Sequence, residues 1–275
     1  MKNVIARWAL LLTALLVVGP LLARMHGLLQ AGDGGPDVTA LTSAGLVVGL
    51  GVLIAQFVVA TLMGALTANL VGYRSGLVAA GFALLAPAHA NGTLLGLVRW
   101  DSAGGMLQRL AMEGALVGVL GTLSAIAIVR AARRHQEEQT DKVASASSGI
   151  ALLVALAGAA AVSWIVARET LAGQTIGAAA LGALAGATLG RIAAPRAPVA
   201  VFVVAIGLLA AAGPIVGMMV HGSGIMREVY ELHIVPLARP LPLHWMAGGL
   251  IGVPLGTAWA AQMLEKKVAK TAAAR

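Results

Sequence analysis

Apolar residues along this chain fall into eight long runs separated by short polar breaks, near residues 4–23, 44–70, 76–98, 107–129, 148–167, 172–190, 199–220 and 243–263. Each run is close to the ~20 residues that a helix needs to cross a bilayer. The runs lack the strict alternation and the ~10-residue segments of a membrane β-barrel, and Ala, Leu and Gly outweigh β-branched and aromatic residues. The pattern predicts an all-α, polytopic integral membrane protein with about eight transmembrane helices.

The longest polar break, RAARRHQEEQTDKVASASS at 130–148, divides the runs into two groups of four. The expected organisation is a first membrane half over residues 1–130, a cytoplasmic linker over 131–147, and a second half with a cytoplasmic tail over 148–275. Four is even, so both halves enter the membrane in the same direction, and a duplication would be a parallel repeat. MEGALVGV at 112–119 aligns with MAGGLIGV at 246–253, as that reading requires. Gly64-Ala68-Gly72, Gly182-Gly186-Gly190 and Gly248-Gly252-Gly256 place small residues on single helix faces. Such ladders allow close backbone approach where lipid supplies no hydrophobic drive for association, so they are read as packing seams.

Composition agrees: 59% of residues are hydrophobic, 11% are charged, and mean hydropathy is +0.89. A net charge of +8 would point to nucleic acid in a soluble protein, but its placement removes that reading. With the N-terminus inside, Arg24, Arg99, Arg109, Arg168, Arg227 and Arg239 fall outside, and the other 13 of the 19 Lys and Arg fall inside. This excess puts both termini in the cytoplasm of a cell membrane, the inner one in a Gram-negative cell. The basic charge sets orientation and meets anionic lipid; no nucleic acid is expected as a partner. The absence of cysteine excludes disulfides and thiolate metal sites. The first run follows Lys2 and Arg7 as a signal peptide would, but it lacks a clean cleavage site and is long enough to span.

Ionisable or strongly polar groups within lipid are costly and are the natural functional candidates. Gln56, His89, Asn91 and Glu113 are the deep ones, with Arg109 one turn before Glu113 at a spacing that allows an ion pair. These five form the expected substrate or proton pathway. His221 and His244, on the outer side, are secondary candidates. Pro87 in APAHANGT (86–93) and Pro214 are expected to break the third and seventh helices at matching positions, as in many transporter binding sites. The 221–242 segment is read as an outer loop with a short amphipathic helix near 225–232, and as a docking surface or lid. It and the small-residue faces are the candidate protein-partner surfaces, beside the lipid bilayer itself. Trp8, Trp100, Trp164 and Trp245 are read as interfacial anchors.

No phosphate-cradling glycine loop, HExxH or Gly-x-Ser-x-Gly motif is present, no metal site is expected, and no cofactor is indicated. The leading expectation is a small-solute or ion transporter, proton-coupled through His89 and Glu113. The alternative is a non-catalytic anchor or assembly subunit of a larger membrane complex, and a lipid- or quinone-handling enzyme comes third.

Overall fold

A computed structural model describes residues 2–99, 105–132 and 145–273, and these are mostly helical. Trp100, His135 and most of the 131–147 linker lie outside the described residues. The helices are α1 (Lys2–Thr13), α2 (Gly19–Arg24), α3 (Leu46–Val71), α4 (Tyr73–Ala90), α5 (Leu94–Val98), α6 (Gly105–Ala132), α7 (Ser145–Val166), α8 (Ala172–Ala193), α9 (Val199–His221), α10 (Ile225–Tyr230) and α11 (Pro242–Ala273). A π-helical segment, Ala14–Val18, joins α1 to α2 just before Gly19-Pro20, where proline cannot supply the next amide donor.

Among the described residues six helical stretches are long and apolar enough to cross a membrane: Val4–Leu28, Leu46–Val71, Gly105–Ala132, Ser147–Val166, Ala172–Ala193 and Val199–His221. The chain is therefore a multi-pass membrane protein. Its outward surface is what such a protein needs, with Val47, Met219 and Leu153 among the side chains that point away from the bundle.

The two remaining predicted runs correspond to α4 and α11, which are helical but more polar. Their position explains this. Helix α4 packs against α2, α3 and α11, while α11 lies against α4, α6, α8 and α9. Residues 75–81 of α4 and 242–250 of α11 are buried without interruption. A helix ringed by other helices needs no lipid-compatible surface, and can carry polar groups wherever a neighbour satisfies them.

The predicted ladders are seams within the chain. Gly64 and Gly76 face each other between α3 and α4, where a methyl group added to Gly76 would lie 2.5 Å from the Gly64 carbonyl oxygen. Gly182, Gly186 and Gly190 of α8 pack against α7, and Gly248, Gly252 and Gly256 of α11 pack against α8. The Gly182 and Gly248 ladders are thus filled by the chain's own helices, whereas Gly72 has nothing within 4 Å.

One end of the bundle carries the long connections. The segment 29–45 folds inward, with Val38, Thr39, Ala40 and Thr42 buried. Helices α5 and α10 form a second small core with the start of α6, built from Leu94, Leu97, Met106, Leu110, Ile225, Val229 and Ile234. The apolar face of the predicted amphipathic helix is thus covered by its own chain. Trp245, read as an interfacial anchor, is instead fully buried, whereas Trp8 and Trp164 are exposed as anchors should be.

Candidate functional site

The third predicted run does not continue through APAHANGT. Helix α4 passes Pro87 unbroken and ends at Ala90, and α9 likewise passes Pro214, so neither helix is interrupted at its proline. The break comes at Asn91–Thr93 for a local reason. Gly92 adopts a φ of +81°, which few residues other than glycine tolerate, and Thr93 then caps α5 by accepting the Gly96 amide at 3.0 Å. Asp37 fills the notch, accepting from the Thr93 amide at 3.3 Å; any side chain at Gly92 or Gly96 would collide with it. Arg99 reaches over this junction to Asp33 at 2.6 Å and to Asp37 at 3.7 Å. The Arg99 guanidinium holds the Asp33 carboxyl below its ordinary range, and Asp33 in turn raises the Arg99 pKa.

Glu113 lies eight residues into α6 and is fully buried. The expected ion pair with Arg109 does not form. Glu113 Oε2 accepts instead from the Thr39 hydroxyl at 2.5 Å and the Leu41 amide at 2.8 Å, while Arg109 is exposed. Thr42 supports the clasp by accepting the Thr39 amide at 2.7 Å. A carboxylate is the natural acceptor for two donors on a segment that has left regular structure, because the inward-folded chain otherwise leaves buried N–H and O–H groups unsatisfied. Glu113 Oε1, also buried, meets no donor among the described residues.

Of the other deep candidates, Gln56 is 3% exposed and donates to the Leu22 carbonyl at 3.4 Å, tying α3 to α2. Asn91 is buried at the end of α4, and His89 beside it is exposed. The structure therefore does not bring His89 together with Glu113 and Gln56. His244 takes the interior position that His89 was expected to hold. It is fully buried, its Nε2 donates to the Ala88 carbonyl at 2.9 Å, and its Nδ1 accepts from the Leu241 amide at 3.3 Å and meets the Thr175 hydroxyl at 2.8 Å. Ala88 is one of the last carbonyls of α4, left without a helical partner where the helix stops. His244 thus joins α4, α8 and α11 in one node.

His221 is partly buried; its Nε2 accepts the Val235 amide at 3.3 Å, and its Nδ1 lies 3.8 Å from Glu228. Sequence reasoning passed over Arg239 as a loop charge. It is 6% exposed, and its guanidinium donates to the carbonyls of Leu232, Ile234, Ala167 and Arg168, clamping the 231–241 segment to the end of α7. Burial and the neighbouring Arg168 charge lower its pKa. The advance signal for it was an arginine set between Pro236 and Pro240 in PLARP, a segment too constrained to leave a long side chain idle.

Two clefts border α6. One, of about 410 Å3, lies between α6 and α9 and is lined by small and apolar residues from Ala115 to Leu123 and from Val204 to Ala211. The other, of about 950 Å3, lies between the starts of α3 and α6, with Gly32, residues 41–44, Gln108 and Arg109 among its lining. Neither is lined by Gln56, His89, Glu113 or His244. Among the described residues no three His, Asp or Glu side chains gather as a metal site. No protein-family model, curated protein or solved structure matches this chain.

Proposed function

We propose that this chain is an eight-span membrane protein of two four-helix halves, residues 1–130 and 148–275, that serves as a non-catalytic membrane subunit around which a larger complex assembles. One observation carries the choice over transport. Gln56, Glu113 and His244, each at most 3% exposed, are spent on backbone groups of other segments of the chain. A side chain that binds and releases a solute or a proton needs a path to water, whereas one that stitches helices needs the opposite.

The halves reading draws support from packing. Helix α6 lies against α9 and α4 against α11, so the third span of each half meets the fourth span of the other. The end that carries 29–45, α5 and α10 is the outer one, since the opposite end holds the larger share of Lys and Arg; both termini are then cytoplasmic.

Proton-coupled transport is the second reading, and the unpartnered Glu113 Oε1 favours it. Purification in mild detergent separates the two. A stoichiometric integral-membrane partner that co-elutes supports the assembly role. A protein that purifies alone and catalyses proton-dependent solute uptake, lost in Glu113→Gln, would overturn it.

A further inference from the structure

The cleft between the starts of α3 and α6 is chemically graded along its length. Gln108 and Arg109 lie near the start of α6 and Ser43 just before α3, while Leu50, Met112 and Leu116 line the stretch further along the helices. From Gly105 to Leu116 the wall runs about 16 Å at 1.5 Å per residue, roughly half the ~30 Å of a bilayer's hydrocarbon core. That length is comparable to the depth of one leaflet, and Arg109 lies about 6 Å along it from the helix start. Its lower wall is open to lipid, since Met112 is 62% exposed. At about 950 Å3 it is at the upper end of ordinary ligand sites.

We infer that this cleft holds one glycerophospholipid of the leaflet it faces, its phosphate on the Arg109 guanidinium and an acyl chain along Leu50, Met112 and Leu116. The charge gradient matches that molecule from head to tail, and guanidinium is the side chain best suited to a phosphate. The far wall is held in place by Glu113, which anchors the Leu41 amide next to Thr42 and Ser43. Glu113 is therefore a positioning residue for the cleft and makes no contact with the lipid. The site requires only that the chain is embedded in a bilayer, and stands whether or not the protein assembles with a partner.

The test is lipid retention by native mass spectrometry of the full chain, delipidated in non-ionic detergent. It is then titrated separately with phosphatidylglycerol, with diacylglycerol of the same chain length, and with inorganic phosphate. One phosphatidylglycerol should bind, and diacylglycerol should bind at least tenfold more weakly, because a charge-assisted bond is lost. Arg109→Gln should weaken phosphatidylglycerol by a similar factor, with Arg109→Lys restoring much of it. Met112→Trp, on an exposed wall where refolding is not at stake, should block the tail. Equal binding of diacylglycerol, or retention unchanged in both Arg109→Gln and Met112→Trp, would overturn the assignment. Arg109-dependent binding of inorganic phosphate as tight as that of the lipid would do so as well, by showing a soluble-anion site.

Discussion

His244 and His89 sit at opposite ends of the range of consequences expected for a histidine in this fold. His244→Phe fills the same space but strands the Ala88 carbonyl and the Leu241 amide in the interior, at a cost of about 2 kcal/mol or more. His89→Ala removes an exposed side chain and should change stability by less than ~0.5 kcal/mol. Thermal unfolding of the two variants in one detergent checks both figures, and equal losses would contradict the node. Glu113→Ala should cost about 1–3 kcal/mol by freeing the Thr39 and Leu41 donors, while Glu113→Gln keeps an acceptor and should lose less. For Asp33 the sign follows from its lowered pKa. The contribution of its pair with Arg99 is present above the ordinary value of 3.8 and disappears as pH falls below it. Hydrogen-exchange protection in 29–45 should therefore include this pair's contribution at neutral pH and lose it as pH falls below 3.8, and Asp33→Asn should show the reduced, acid-like protection at all pH values.

Packing decides which glycines matter at the level of the helix. A methyl group on Gly118 would lie 3.0 Å from the Gly207 Cα across the α6–α9 contact, and one on Gly114 would collide with the Ala210 carbonyl. Gly177 on α8 and Gly51 on α3 have nothing within 4 Å. Gly114→Val should therefore lower the unfolding temperature by several degrees, whereas Gly51→Ala and Gly177→Ala should leave it level or raise it slightly.

The same logic explains what was legible in the sequence. The run at 199–220 appears as Val199–His221 and that at 172–190 as Ala172–Ala193, because apolar length alone fixes a helix that faces lipid. The break after α4 was written in Asn91-Gly92-Thr93, a helix stop followed by a helix cap, but the apolar residues on both sides masked it. The partners of Glu113 and His244 were not readable at all. Thr39 is 74 residues from one and Ala88 is 156 from the other, and nothing local joins them.

For the molecule as a whole, the eight-span reading makes a topological prediction that the lack of native cysteine renders easy to test. In intact cells or spheroplasts, a membrane-impermeant thiol reagent should label Asp33→Cys and Arg227→Cys. Arg196→Cys and Lys266→Cys should react only after the membrane is opened. If α4 or α11 failed to cross, one pair would be split between sides.

The long-range contacts also impose a schedule on synthesis. At ~5–20 residues per second, the 29–45 segment leaves the ribosome about 4–15 s before Glu113 exists to receive it, and the end of α4 waits about 8–30 s for His244. During those intervals the Thr39 and Leu41 donors and the Ala88 carbonyl lack the partners that will satisfy them. Whatever inserts this protein must shelter them, and the last long helix to be made is the one that satisfies the end of α4.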